Sequence, residues 1–186
     1  MKRLFIAIKI VPDSNLLKVY NDLKKKCYHS RVKWVNENLF HITLKFFGEI
    51  PENEIETITD IMEQTASGFG AFEFDIKGLG VFGSSYRPRV IWFGLHNNEG
   101  LKRFGNLLLD ELDKAGFPRD RQNFVPHLTV GRIKFIKDKN LLREIVHHHK
   151  ESFFQHVLAD KIILYESVLK KDGPQYFPLK EVYINK

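Results

Sequence analysis

Cysteine occurs once in this chain of 186 residues, at position 27. A single thiol excludes an intramolecular disulfide and a cluster of cysteine metal ligands. Cys27 closes the helix-like stretch Leu23-Lys24-Lys25-Lys26-Cys27 and reads as a packing residue. Long apolar runs are missing too, and none approaches the roughly 20 residues that a membrane-spanning helix needs. The N-terminal run Leu4-Phe5-Ile6-Ala7-Ile8 is short, is broken by Lys9 and has no cleavage-like pattern before Pro12. It reads as a first strand and not as a secretion signal. These absences lead to the expectation of a cytoplasmic protein with no membrane contact. No stretch biased to proline, glycine or serine marks a linker, so residues 1–186 are expected to form a single domain.

What the chain has in excess is positive charge and phenylalanine. Lysine and arginine outnumber aspartate and glutamate by 29 to 23, and the net charge of +6 favours an anionic partner through long-range attraction. Sixteen phenylalanines supply a core and, in a basic protein, surfaces on which nucleic acid bases stack.

Strand-like stretches are predicted over 3–11, 31–35, 40–47, 72–81, 90–95, 127–133, 159–169 and 176–184. Helices are predicted from Asp13 or Ser14 to Cys27, from Pro51 to Ser67, over Glu99–Lys114 and over Lys139–His147. Without strict strand-helix-strand alternation, this order implies an α+β fold with largely antiparallel sheets.

Two short motifs carry the chemistry. His41-Ile42-Thr43-Leu44 and His127-Leu128-Thr129-Val130 share one pattern, each with an apolar residue before the histidine, and lie 86 residues apart. Side chains alternate along a strand, so each histidine and its threonine share one face while the intervening residues point into the opposite, apolar face. A repeated imidazole-hydroxyl dyad implies two similar lobes related by a pseudo-two-fold and facing a common cleft. Such a pair suits phosphodiester cleavage. One imidazole takes a proton from the attacking water and the other gives one to the leaving oxygen, because both forms are available near neutrality. The hydroxyls hold the non-bridging oxygens, and the reaction needs neither metal nor cofactor.

In these motifs and around them the chain resembles the two-histidine phosphoesterases, and among them the LigT-like RNA 2',3'-cyclic phosphodiesterases, also known as 2'-5' RNA ligases. The resemblance rests on Arg3-Leu4-Phe5-Ile6-Ala7-Ile8, on Trp34-Val35 and the run from His41 to Glu49, on Arg87 to Leu95, and on Pro126 to Arg132. One departure is Leu39-Phe40, where a single apolar residue is usual, which implies an inserted residue or bulge.

The resemblance implies a bilobal α+β fold, with antiparallel sheets lining a central cleft and helices outside. It also implies hydrolysis of RNA 2',3'-cyclic phosphate ends to 2'-phosphates, extending to reversible 2'-5' joining. His41 would donate the proton to the departing 3' oxygen, His127 would accept one from water, and Thr43, Thr129 and Arg132 would bind the phosphate. RNA or a nucleotide with a 2',3'-cyclic phosphate would be the partner, and no obligate protein partner is implied. Linear oligonucleotides, an ADP-ribose cyclic phosphate, RNA-end binding without turnover and a metal-dependent hydrolase remain open alternatives.

Other residues are read from spacing. Arg132 follows His127 by five positions, so an unbroken strand aims it away from the dyad, and a bulge at Gly131 would bring it back. Lys45 follows His41 by four and should share the dyad's face, as a second cation or a solvated one. Trp34 and Phe47 read as core, and Tyr86, Arg87 and Arg89 as exposed loop residues. The run His147-His148-His149 cannot direct all three rings at one ion from a regular helix and fits a helix C-terminus instead.

Overall fold

Asp13 caps the first helix by accepting a hydrogen bond from the Leu16 amide at 2.8 Å, and Asp138 caps the last one in the same way through Asn140 and Leu141. Between these signals the chain runs β1 (Lys2–Lys9), α1 (Ser14–Lys26), β2 (Arg31–Trp34), a 3-10 turn (Glu37–Leu39), β3 (His41–Ile50) and α2 (Glu54–Ser67). It continues with β4 (Phe72–Gly83), β5 (Pro88–His96), α3 (Glu99–Lys114), β6 (Leu128–Phe135), α4 (Lys139–His148), β7 (Phe153–Ala159), β8 (Lys161–Lys170) and β9 (Gly173–Tyr183). The computed structural model describes residues 1–84, 86–119, 124–170 and 173–184. Part of the turn expected at Lys171-Asp172-Gly173-Pro174 lies outside these.

The strands form two sheets, one in the order β3-β1-β8-β9 and the other in the order β2-β6-β5-β4-β7. Every pairing among the described residues is antiparallel. The expected α+β, bilobal arrangement is what the chain adopts, with one histidine motif in each sheet. The lobes are not successive halves of the chain, because β1 and β3 belong to one sheet while β2, between them, belongs to the other.

Helices cover the outer faces: α2 packs on α3 and β9, α3 on β4, α1 on β7 and α4 on β4. One apolar cluster joins them, running from Leu4, Ile6 and Ile8 of β1 through Leu16 and Tyr20 of α1 to Phe74, Phe93 and Phe104. The same cluster takes in Ile42, Leu44, Leu128 and Val130, the residues interleaved with the two dyads. Full burial of each contributes about 1.5–3 kcal/mol, so the strands that display the dyads are firmly seated. Trp34 and Phe47 pack against this core as expected, and Cys27 is buried at the end of α1, where burial pushes its thiol pKa up.

The strand placed over 159–169 is β8, Lys161–Lys170, and one further strand, β7, precedes it unanticipated. The reason is a register shift in its pairing with β4: Ile76 lies opposite Gln155 and Lys77 opposite Phe153, so Phe154 is an extra residue. Phe154 and Val157, three apart, are then both buried, and the period-2 pattern is erased.

Candidate active site

The segment that delivers His41 starts at the other lobe's motif. Trp34 of β2 lies opposite Gly131 of β6, and the Val35 amide donates to the Val130 carbonyl at 3.0 Å. Asn36 then caps the 3-10 turn by accepting from the Asn38 amide at 2.9 Å, and Phe40 plugs into the core. This turn leaves the Leu39 carbonyl beneath the His41 ring, where it accepts a hydrogen bond from Nδ1 at 2.7 Å.

The second motif repeats the device. His127 Nδ1 donates to the carbonyl of Val125, again two residues upstream, at 2.9 Å. The segment before it is anchored by Phe124, which lies against α3 at Gly105; a Cβ there would come within 2.5 Å of the Phe124 ring. A carbonyl only accepts, so in each histidine Nδ1 carries the proton and Nε2 is left to face the cleft.

The repetition extends past the threonines. In β6, Thr129 lies opposite Trp92 and Arg132 opposite Val90, while Gly131 is opposite Ile91, so Val130 is an inserted residue. Directly opposed residues share a face, and Trp92 and Val90 are two apart on β5. Arg132 is thereby on the face of Thr129 and His127 despite its odd spacing. In β3, Thr43 lies opposite Ala7, Lys45 opposite Ile6 and Phe46 opposite Phe5, so Leu44 is the inserted residue. The third residue after each threonine thus returns to the cleft face: Phe46 in one lobe and Arg132 in the other.

Lys45 is turned away by the same bulge. It is 4% exposed, and its Nζ donates to the Pro118 carbonyl at 2.6 Å, so the expectation that it shares the dyad's face is corrected.

The two dyads converge. β3 and β6 approach each other directly, and His41 feels the charges of both Arg132 and His127. Burial is the main cause that holds the His41 pKa below the ordinary imidazole value; the Leu39 hydrogen bond opposes it, and the positive charges of Arg132 and His127 add to it. Aromatic rings wall both imidazoles. Phe5 and Tyr176 lie 5.2 and 5.3 Å from the His41 ring, and Phe82 meets the His127 ring edge-on at 4.8 Å. Trp92 stacks on Phe82 at 5.0 Å and lies across Gly80, where a Cβ would come within 2.1 Å of the indole.

The chain that carries this arrangement is similar to known proteins in sequence and in fold. The model of the LigT like phosphoesterase family matches residues 8–92. The RNA 2',3'-cyclic phosphodiesterase of Thermotoga maritima is 34% identical over 183 residues, covering 96% of this chain and 94% of that protein. The one from Methanocaldococcus jannaschii is 33% identical over 96% of this chain and 99% of its own length. The chain belongs to the LigT-like phosphoesterases. Solved structures agree in fold: a Thermus thermophilus protein superposes with a TM-score of 0.80 at 24% identity, covering 98% of this chain and 97% of its own. The LigT of Escherichia coli complexed with 3'-AMP gives 0.76 at 20% identity, covering 100% of this chain and 99% of its own.

In this LigT-like phosphoesterase several cleft residues escape a reading of the sequence. Arg3 lies over the Phe46 ring at 5.0 Å, and its charge, with that of Arg132, offsets part of the rise that burial imposes on the Tyr176 pKa. Arg3, Phe5 and Ala7 form the cleft face of β1, opposite the core residues Leu4, Ile6 and Ile8. The signal for Arg3 is its phase within that strand. Tyr165 and Tyr176 reach the cleft only through the pairing of β8 with β1 and of β9 with β8, which no local pattern shows.

Proposed function

We propose that this chain hydrolyses RNA 2',3'-cyclic phosphate ends to 2'-phosphates, with the two histidines as its acid and base. The observation that carries the reading is the matched pair of Nδ1 hydrogen bonds, to the carbonyls of Leu39 and Val125. They present two Nε2 atoms to one cleft in the same tautomer, which is what an in-line displacement at phosphorus requires. The relatives named above for this activity support the substrate.

In the proposed reaction His127 Nε2 takes a proton from water as the water oxygen bonds to phosphorus. The bond from phosphorus to O3' breaks, and His41 Nε2–H protonates the departing oxygen. Thr43, Thr129 and Arg132 hold the non-bridging oxygens, with the guanidinium matched to phosphate geometry. Charge develops between groups already in place, so the site needs no metal to stabilise it.

The test is turnover of adenosine 2',3'-cyclic phosphate in EDTA, with the product identified by phosphorus NMR. Wild type should yield the 2'-phosphate, and His41→Ala and His127→Ala should each lower kcat by about 10²–10⁴-fold. A 3'-phosphate product would overturn the choice of leaving oxygen, and full activity in either variant would overturn the histidine roles.

A further inference from the structure

Trp92 also lines a cavity of about 560 Å³ that His127 does not line. It runs between α4 and the second sheet and is lined by Lys77, Lys139, Arg143 and Lys150. The one carboxylate lining it among the described residues, Glu151, is paired with Lys77 at 3.2 Å. Lys139, Arg143 and Lys150 are exposed and have no carboxylate partner among the described residues. The cavity beside His41 is smaller, about 230 Å³; of its two lysines, Lys9 and Lys161, the latter is paired with Glu181 at 2.7 Å.

The larger groove has the two parts that single-stranded nucleic acid binding uses, a row of cations for the backbone and aromatic surface for a base. Trp92 joins it to the site, since the indole lines the groove and its ring centroid is 6.4 Å from that of His127. We propose that this groove binds the RNA strand leading to the cyclic phosphate, with backbone phosphates on Lys139, Arg143 and Lys150 and a base against Trp92. The proposal rests on the cleft being a cyclic-phosphate site and makes the preferred substrate an oligonucleotide, not a mononucleotide. An acidic protein surface would use the cations but not the aromatic wall, and would not need continuity with the dyads.

The triple variant Lys139→Gln/Arg143→Gln/Lys150→Gln tests it, because all three side chains are exposed and the fold does not depend on them. At low salt its kcat/KM on a cyclic-phosphate-ended oligoribonucleotide should fall at least about tenfold. Turnover of adenosine 2',3'-cyclic phosphate should be unchanged. The salt slope of oligonucleotide binding, read by fluorescence anisotropy with a 2'-phosphate-ended strand, should drop by about 2, near 0.7 for each lost contact. Equal losses on both substrates, or wild-type anisotropy in the variant, would overturn the groove. If wild type turns over neither substrate, the cyclic phosphodiesterase reading fails, while anisotropy still decides whether the groove holds RNA.

Discussion

The two imidazoles share a tautomer but not an electrostatic setting. Burial and the nearby Arg132 guanidinium keep His41 less basic than an ordinary histidine, so in the free protein it is neutral at pH 7. A proton donor at this position must acquire its proton with the substrate, whose negative charge offsets that of Arg132. In an NMR titration, therefore, His41 should titrate below the ordinary value of 6.5 and move upward when inorganic phosphate binds. Arg132→Ala removes one depressing charge, so His41 should titrate at higher pH while kcat/KM falls by about 10²–10³-fold. An unmoved His41 in that variant would place Arg132 outside the cleft. Spacing alone revealed the dyads, since His41-Thr43 and His127-Thr129 need only strand alternation. Arg132 needed a bulge, expected at Gly131 and found one residue earlier, at Val130, and Lys45, with the right spacing, was removed by one.

At the scale of elements, the insertions at Leu44 and Val130 do what regular strands cannot. They keep the histidine and threonine in register with the core and then change the strand's phase, which returns Phe46 and Arg132 to the cleft. Helices were legible because their signals are local, such as Asp13 at the start of α1; the Asp138 cap of α4 is a finding of the structure. Strand phase was less so: β7 was hidden by its bulge at Phe154, and sheet order depends on pairings between distant segments. The contact of Trp92 with Gly80 ties strand geometry to the site. Gly80→Ala should displace the indole and alter tryptophan fluorescence, while kcat/KM falls through the shared contact with His127. Unchanged fluorescence with unchanged activity would show that the indole does not set the cleft wall.

For the molecule as a whole, the interleaved chain path matters more than the pseudo-two-fold. The segment from Trp34 to His41 begins on the strand that bears the second dyad and ends on the first, so neither lobe is complete alone. With one apolar cluster spanning both sheets, we take residues 1–186 as a single folding unit. Chemical denaturation followed by tryptophan fluorescence and by far-UV dichroism should give coincident single transitions, and separated ones would contradict this. The account's central claim is that one neutral and one charged histidine act together across this cleft. The most direct measurement is kcat for a cyclic phosphate substrate from about pH 5 to 9. A bell-shaped profile that loses one limb in each single-histidine variant is the predicted result; a flat profile would contradict the two-histidine mechanism.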